Sequence, residues 1–348
     1  MKTLQVMAGA KHGGAETAFV DMCLAMHEVG QTVEVVTRSN AVRVPQLRHA
    51  GIRVHTLPFG QHIDVYTRWA MKRIIRAFQP QIVQTWMARA ADHTPQWDAS
   101  MGVPEYPVVA RLGSYYKMKH YTQTQYFVGI APMICDYLIG NGIDKERVRQ
   151  ISNFAETSAC RTRLDRSEHG VPEDAPLILA LGRLHEVKAL DVLIKAVAQV
   201  PDVHCLIAGE GPLRRQFETL IDDLGVADRV RLLGWRTDRA ELFEMSDICV
   251  FPSRFEPFGT VFVQAWGHDT PLIVSNADGP RQFVRDGEDG IIFPIDDVDA
   301  LRAAIIRLKD DSDLRKSFVS KGRERYEAEF TKAQCVQNYL SFYQDIIN

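Results

Sequence analysis

Short runs of β-branched and aliphatic residues alternate with longer segments of helical periodicity from one end of the chain to the other. Such alternation is typical of parallel β-sheets whose strands are connected by helices. The predicted strands are 4–8, 32–37, 53–57, 82–86, 108–112 and 127–131, then 177–181, 204–208, 229–233, 248–252 and 272–275. A polar stretch, 156–176, separates the two sets. The pattern therefore predicts two Rossmann-like domains in series.

Helices are expected between these strands and at the C-terminal end. The predicted helices are 15–28, 66–78, 132–141, 189–199, 213–224, 240–245 and 260–267, followed by three helical pieces after residue 298. We expect one domain over 1–155, a second over 156–330, and a helix over 331–348 that packs back toward the first domain. Open α/β sheets bind ligands at the carboxyl ends of their strands. If the two domains face each other, the ligand site is the cleft between them.

The composition excludes several classes of protein. Of the 348 residues, 46% are hydrophobic and 24% charged, which argues against a disordered, collagenous or disulfide-scaffold chain. Six cysteines lie far apart without a CxxC pair, and no segment has the roughly 18 to 20 apolar residues of a membrane span. Lys11 and His12 interrupt the apolar start, so it does not match a signal peptide. We expect a cytoplasmic protein with reduced thiols.

A basic loop in the second half suits an anionic ligand. In the segment 182–188, Arg183 and Lys188 follow a predicted strand and precede a predicted helix. A guanidinium fork and an ammonium group beside free helix-terminal N–H groups suit a diphosphate. Solvated side chains at a helix start would have the same sequence, so this loop alone does not decide the function.

A later loop combines a carboxylate with a helix start. Glu256 follows the predicted strand 248–252, and Gly259 and Thr260 open the next helix. The carboxylate can accept hydrogen bonds from sugar hydroxyls while the free amides hold a neighbouring phosphate. Helix capping is the simpler interpretation of the same residues.

Five strings of the second half occur in a familiar order. They are Gly182-Arg183 to Lys188, Gly209-Glu210-Gly211-Pro212, Gly234-Trp235, Ser253 to Gly259 and Asp286 to Gly290. Together they resemble the donor domain of retaining glycosyltransferases of family 4, the glycosyl transferases group 1. Gly13-Gly14-Ala15-Glu16 resembles the N-terminal glycine loop of that family. The resemblance implies an α/β GT-B fold, in which two Rossmann-like domains face each other across a cleft. It makes 1–155 the acceptor side and 156–330 the nucleotide-sugar donor domain.

The resemblance also implies the roles of individual residues. Arg183 and Lys188 would neutralise the leaving diphosphate, and Glu256 would contact hydroxyls of the transferred sugar; these three are the expected catalytic residues. The expected donor-binding residues are Gly14, Gly182, Glu210, Gly211, Trp235, Phe258, Gly259, Thr260 and Gln264.

Three positions depart from the family pattern. Gln264 stands where the family has a second Glu that holds the ribose hydroxyls, so donor binding should weaken by about 1 kcal/mol. No His follows the strand 108–112 near Gly113, and Gln282 stands where the family commonly has Glu. A catalytically impaired relative and a non-catalytic sugar-nucleotide-binding protein are therefore alternatives.

No metal or other cofactor is expected. Asp297-Val298-Asp299 matches a short metal-binding pattern, but it precedes a helical segment, where Asp caps a helix. His and Cys show no zinc spacing, and 9–14 lacks the glycine patterns of nicotinamide and P-loop enzymes. The donor sugar nucleotide is then the only small-molecule ligand predicted besides the acceptor.

The first half is basic and the second acidic. Residues 1–160 hold 17 Lys+Arg and 12 Asp+Glu, whereas 161–348 hold 24 and 32. Arg68, Lys72 and Arg76 share one face of a predicted helix. The expected acceptor-side residues are Tyr115, Tyr116, Lys117, Lys119 and His120. These features suit an anionic acceptor or a peripheral contact with an anionic membrane, although a solvated helix face would look the same. Nucleic acid is not an expected partner, because the chain as a whole is slightly acidic.

The sequence thus predicts a retaining, metal-independent hexosyltransferase. It would move a sugar from a nucleoside diphosphate sugar to a hydroxyl of a cell-envelope glycan or glycolipid, at the inner face of the cytoplasmic membrane. A GT-B nucleotide-sugar epimerase is the alternative within enzymes.

Overall fold

The computed structural model describes residues 1–11, 13–60, 64–155, 157 and 164–348, and these form two compact units. The first unit comprises Met1–Asn153 and Lys332–Asn348, and the second comprises Phe154–Thr331. The predicted polar stretch 156–176 lies partly outside the described residues. Its described part includes a short 3-10 turn, Arg166–His169.

The first unit is built on a parallel sheet of seven strands in the order β3-β2-β1-β4-β5-β6-β7. The strands are β1 (Lys2–Met7), β2 (Thr32–Thr37), β3 (Arg53–Thr56), β4 (Ile82–Trp86), β5 (Val108–Leu112), β6 (Tyr126–Gly129) and β7 (Val148–Gln150). The helices between them are α1 (Gly14–Glu28), α2 (Arg43–His49), α3 (Val65–Phe78), α4 (Met87–His93) and α5 (Pro132–Gly140). Every residue of β4 and β5 is buried, as expected for central strands covered by helices on both faces.

The second unit repeats the architecture with six parallel strands in the order β10-β9-β8-β11-β12-β13. The strands are β8 (Leu177–Leu181), β9 (His204–Ala208), β10 (Val230–Gly234), β11 (Ile248–Phe251), β12 (Leu272–Ser275) and β13 (Ile291–Phe293). The helices are α6 (Leu190–Ala198), α7 (Arg214–Asp223), α8 (Arg239–Glu244), α9 (Thr260–Gly267), α10 (Pro280–Phe283), α11 (Val298–Asp310) and α12 (Ser312–Arg325). A π-helical turn, Tyr326–Phe330, follows α12.

The C-terminal helix, α13 (Lys332–Ile347), belongs to the first unit. Its buried Tyr343 donates a hydrogen bond of 2.5 Å from its hydroxyl to Oε1 of Gln84 in β4. At its other end, Nζ of Lys332 lies 2.7 Å from Oε2 of Glu28, the last residue of α1. The chain therefore returns to the first sheet after completing the second.

Each sheet has one point at which the strand order reverses. In the first unit it lies between β1 and β4, and in the second between β8 and β11. The loops that leave such neighbouring strands diverge and open a crevice at their carboxyl ends. In the second unit these loops are 182–188 and 252–259, the two segments singled out from the sequence.

The predicted α/β class with two Rossmann-like halves is confirmed. Six strands begin and end where predicted, namely β2, β4, β5, β8, β9 and β12. The short strands β7 and β13 and the helices α2, α4 and α10 were not predicted. Among the described residues, no helix is both long and apolar enough to cross a membrane. The five cysteines of the described part are all free thiols.

Candidate active site

A Lys–Glu pair lies where the strand order of the second sheet reverses. Lys188 ends the loop after β8, and Glu256 lies in the loop after β11. The Lys188 ammonium forms an ion pair with Oε2 of Glu256, and it lies 5.2 Å from the centre of the Phe251 ring. Only 22% and 16% of the two side chains are exposed. Because partial burial weakens solvent screening, a third charge entering this site would interact strongly with both.

The loop 182–188 is shaped by local hydrogen bonds. Its last three residues form a 3-10 turn, Glu186–Lys188. His185 caps this turn, because its Nδ1 accepts a hydrogen bond of 3.3 Å from the backbone N–H of Val187. Ala189 then adopts a positive φ of 49° before α6 begins. This reversal holds Lys188 against the sheet. Its stem packs beside Gly182, where an added Cβ would lie 3.5 Å from Cγ of Lys188.

Arg183 lies in the same loop and is exposed. Its guanidinium makes no hydrogen bond or ion pair with any residue in the described part of the chain. Unlike Lys188, it is therefore a cation without a partner among the described residues. A ligand with two or more negative charges could engage Arg183 without breaking an existing contact.

A second arginine ties the two loops together. The backbone N–H of Arg254 donates to the carbonyl of Val187 at 2.9 Å, and its Nη1 donates to the carbonyl of Glu186 at 2.7 Å. The guanidinium also bonds Asp191 at 2.8 Å and Asp296 at 2.6 Å. The hydrogen bond to Asp191 is the main reason that the pKa of Arg254 lies above its ordinary value. Arg254 thus fixes the loop that carries Lys188 relative to the loop that carries Glu256.

Two glycines allow the loop 252–259 to pack tightly. Gly259 has a φ of 90°, and a Cβ there would lie 2.6 Å from the Phe251 ring and 3.0 Å from Cγ of Glu256. A Cβ on Gly279 would lie 2.5 Å from the backbone carbonyl oxygen of Glu256. Directly after Gly259, Thr260 begins α9, whose first-turn N–H groups have no acceptor within the helix. The loop therefore places free amides next to the Lys–Glu pair.

The remaining donor-side residues fall into three groups. The backbone of Glu210 and Gly211 packs closely against the loop 182–188. An added Cβ on Gly211 would lie only 2.3 Å from the carbonyl oxygen of Leu184, which shows how close the two segments are. The Glu210 carboxylate accepts a hydrogen bond from Arg214 at 2.8 Å. Trp235 is 70% exposed and available to a flat ligand. The Gln264 side chain is partly exposed and bonds no described residue.

The side chain of Phe258, one of the expected donor-binding residues, lies in the core. Phe258 is only 2% exposed, and its ring packs within 5.1 to 6.3 Å of three other aromatic rings. Those rings belong to Phe262, Phe283 and Phe330. Phe258 is a core residue that anchors the loop, and only its backbone remains near the site.

The N-terminal glycine loop is held by an acidic residue. Gly14 begins α1, and Oε1 of the buried Glu16 accepts a hydrogen bond of 2.6 Å from the backbone N–H of Ala10. A Cβ on Gly13 would lie 2.4 Å from Oε2 of Glu16. The glycine therefore makes room for a carboxylate that shapes the loop after β1.

The predicted acceptor-side residues divide into two sets. Tyr116 and His120 line a cavity of about 630 Å³ that lies entirely in the first unit. Lys117 and Lys119 are exposed and do not line it. The Tyr115 ring packs edge-to-face on Tyr137, with 5.4 Å between the ring centres. Sequence reasoning missed the other charged residues of this cavity, Arg38, Arg89 and Asp92. Arg38 follows β2 while the other two lie in α4 after β4, and the three form no motif.

Asp297 is a helix cap, as predicted. Its Oδ1 accepts a hydrogen bond of 2.8 Å from the backbone N–H of Ala300 in the first turn of α11. Gln282, the other departure in the second half, donates from Nε2 to the carbonyl oxygen of Asp278.

Comparisons with known proteins agree with the geometry. Residues 162–325 match the family Glycosyl transferases group 1, and 13–153 match the Glycosyl transferase 4-like domain. The lipopolysaccharide core biosynthesis glycosyltransferase LpsD of Rhizobium meliloti is 30% identical over 347 residues, which cover 99% of this chain and 98% of the relative. LpsE of the same organism, also a lipopolysaccharide core biosynthesis glycosyltransferase, is 29% identical over 342 residues, 95% of each chain.

A solved structure shares the fold at low sequence identity. The crystal structure of Anabaena Alr3699/HepE in complex with UDP matches with a TM-score of 0.85 at 19% identity, covering 99% of this chain and 100% of that one. The predicted GT-B fold class is confirmed. The chain belongs to the glycosyl transferases group 1 family and is a GT-B glycosyltransferase of the family 4 type.

Proposed function

We propose that this enzyme transfers a hexose-type sugar from a nucleoside diphosphate sugar to a hydroxyl of a cell-envelope glycan or glycolipid, with retention at the anomeric carbon. The relatives LpsD and LpsE act in lipopolysaccharide core synthesis by their names, which supports an acceptor of the cell envelope. The structural neighbour HepE binds UDP, which supports a nucleoside diphosphate donor.

One observation carries this proposal: a free cation and a paired cation lie in one loop at the reversal of the second sheet. Arg183 has no partner among the described residues, and Lys188 is paired with Glu256. We assign the diphosphate to Arg183, to Lys188 and to the amides that follow Gly259. Preorganised charge of this kind stabilises a departing phosphate without any reorganisation during the reaction.

The same residues account for the chemistry. The bond between the anomeric carbon and the diphosphate oxygen breaks as negative charge grows on that oxygen beside Lys188 and Arg183. While the sugar ring carries partial positive charge, Glu256 accepts hydrogen bonds from its hydroxyls. The acceptor oxygen then bonds to the anomeric carbon from the face that the diphosphate left, and its proton passes to the departing phosphate oxygen. This path needs no protein nucleophile and no His near Gly113.

We also propose that turnover needs no divalent metal, since Arg183, Lys188 and backbone amides can meet the charge of the diphosphate. Turnover that is unchanged by a chelator such as EDTA supports this. Loss of activity with EDTA, restored by Mg²⁺ or Mn²⁺, would contradict it.

The first unit offers a surface for peripheral contact with an anionic membrane at the cytoplasmic face. On α3, Tyr66 and Trp69 are 59% and 52% exposed, and the Arg73 guanidinium lies 4.9 Å from the centre of the Trp69 ring. Exposed aromatic rings beside cations suit the headgroup region. Arg68 and Arg76 instead donate to the backbone carbonyls of Asp92 and Met101, so this surface differs from the basic face predicted from the sequence.

The test is diphosphate release from a panel of sugar nucleotides, with and without lipopolysaccharide core extract. Lys188→Ala should reduce turnover by about two orders of magnitude. Lys316→Ala is the matched control, since its side chain is 80% exposed on α12. Equal rates for Lys188→Ala and the control would remove the diphosphate assignment.

The product distinguishes the alternatives. Conversion of the sugar nucleotide without acceptor would indicate an epimerase. A donor that raises the melting temperature but is never consumed would indicate a binding protein. The anomeric configuration of the product, read by NMR, tests retention directly.

A further inference from the structure

The cavity of the first unit lies where its strand order reverses. Its wall comes from segments that directly follow β1, β2, β3, β4 and β5, that is, from the carboxyl ends of five parallel strands. This is the position at which open α/β sheets bind ligands. A second cavity of about 340 Å³ shares the lining residues Gly9, Ala10 and Arg38 with the first, so the two cavities lie next to each other.

Two arginines line the larger cavity, and neither forms an ion pair with a described carboxylate. Arg38 donates from Nε to the carbonyl of Pro58 at 3.0 Å and from Nη2 to the carbonyl of Phe59, so backbone oxygens hold it in place. Arg89 makes no hydrogen bond or ion pair with any described residue. Burial lowers the pKa of Arg38, and the charge of Arg89 lowers it further. Arg89 is therefore close enough to Arg38 for their like charges to interact, and backbone carbonyls are the acceptors that hold Arg38 among the described residues.

The balance of charge around the two cavities is strongly positive. Their walls carry Lys11, Arg38, Arg43 and Arg89, and the one carboxylate among the lining residues is that of Asp92. That carboxylate lies 3.9 Å from Nδ1 of His120. Outside the lining, Glu16 interacts with Arg43 but is itself engaged by the N–H of Ala10.

Within the range of the first unit, the positions outside the described part carry no carboxylate. The four such positions in the range of the first unit are His12, Gln61, His62 and Ile63, none of which has a carboxylate. Arg38 is half-buried, whereas Arg89 is exposed. A half-buried cation such as Arg38 is costly without a counter-ion unless a ligand supplies one.

The backbone at the cavity is also strained. Met87 lines the cavity directly after β4 and has a φ of 67°, although it is not a glycine. Such a conformation is unfavourable for a residue with a side chain and is typically kept where a ligand site needs it. The strain sets the direction in which α4, with Arg89, leaves the sheet.

We propose that this cavity binds an oxyanion group, a phosphate monoester or a carboxylate, carried by the sugar acceptor, with Arg89 and Arg38 as its ligands. The identification of this ligand as the sugar acceptor rests on the proposed function, whereas the anion site itself does not. The guanidinium of Arg89 donates to no described residue, so it can form the two parallel hydrogen bonds that such a group accepts. Arg38, held by backbone carbonyls, supplies the second charge.

The test is calorimetric titration of the full chain with glucose 6-phosphate, glucuronate and neutral glucose, in the presence of saturating UDP. UDP occupies the donor site, so that a phosphate cannot bind there unnoticed. The variants are Arg89→Gln, Arg38→Lys and Lys188→Ala. Arg53→Gln is the control that removes an equal charge from the first unit, since the Arg53 side chain is 75% exposed.

At least one of the two anionic sugars should bind the parent, and glucose should bind at least tenfold more weakly. Arg89→Gln should weaken the binding at least tenfold, because a hydrogen bond to a charged group is lost. Arg38→Lys, which keeps the charge but loses the fork, should weaken it less. Which of phosphate and carboxylate binds identifies the group. Raising the salt concentration should weaken binding in the parent more than in Arg89→Gln.

The opposite results overturn the proposal. The proposal is wrong if the parent binds glucose as tightly as both anionic sugars. It is also wrong if Arg89→Gln and Arg53→Gln bind the anionic sugar equally well, or if only Lys188→Ala loses that binding. The proposed function fails separately: if none of UDP, GDP, ADP and dTDP binds the parent while an anionic sugar does, the donor assignment is wrong and the anion site stands. A thermal unfolding curve like that of the parent shows that Arg89→Gln is folded.

Discussion

Arg254 is expected to position the catalytic loops, and removing it should lower both stability and activity. The perturbation is Arg254→Met, which keeps the aliphatic stem and removes every donor. Three contacts are lost, to the Glu186 carbonyl at 2.7 Å, to Asp191 at 2.8 Å and to Asp296 at 2.6 Å. The backbone hydrogen bond from Arg254 to Val187 remains, so the loops should loosen without separating.

The magnitude follows from how exposed each contact is. A hydrogen bond to a charged group contributes about 1.5 to 3 kcal/mol when buried. Asp296 is 51% exposed, so its contact with Arg254 is largely screened by solvent. Asp191 is 27% exposed, and after the substitution its remaining ion pair among the described residues is with Lys195 at 3.9 Å. We expect a net loss of about 2 kcal/mol. For a unit of this size, that loss lowers the melting temperature by about 4 to 8 °C.

The activity should fall because Lys188 is no longer held beside the diphosphate. A loss of about 1.4 kcal/mol in transition-state stabilisation corresponds to a tenfold lower kcat/KM for the donor. The assay pairs thermal unfolding with diphosphate release, and Arg215→Met, at an exposed arginine of α7, is the control. If Arg254→Met melts and turns over like Arg215→Met, the guanidinium does not position the loops.

Four further outcomes are expected. Gln264→Glu should tighten UDP binding or leave it unchanged in calorimetry, and a large loss would show that Gln264 has another partner. Gly259→Ala should cost at least about 2 kcal/mol in denaturant unfolding, since its Cβ would overlap the Phe251 ring at a positive φ, and parental stability would refute the packing account. Burial lowers the pKa of His268 in the folded protein. Below about pH 6.5 the unfolded chain therefore binds a proton at His268 more readily than the folded protein does, and stability should fall as the pH drops from 7.5 to 5.5. His268→Phe should flatten that dependence of the melting temperature, and an unchanged slope would assign it to other groups. Trp69→Ala should weaken binding to phosphatidylglycerol vesicles in a flotation assay, and parental binding would exclude α3 as the membrane surface.

The sheets could be predicted from the sequence because their central strands are buried on both faces. Runs such as those of β4, β5 and β8 are buried throughout, which leaves an unmistakable apolar signal. β7 and β13 escaped prediction because each has three residues, and β7 is partly exposed at the sheet edge. The helix α4 begins at a positive φ on Met87, which no local pattern signals.

The site was predictable only where its residues form strings. Lys188 and Glu256 could be identified because each lies in a motif after a strand, although their ion pair joins residues far apart in the chain. The burial of the Phe258 ring could not be predicted, because the ring packs among residues as distant in the chain as Phe330. Arg89 belongs to no motif, and its significance depends on Arg38, which reaches it only through the fold.

A crystal structure of the protein with bound UDP tests the central assignment most directly. We predict that oxygens of the diphosphate lie within about 3 Å of both the Arg183 guanidinium and the Lys188 ammonium, and near the first amides of α9. A diphosphate bound elsewhere, with both of these cations directed into solvent, would contradict the account.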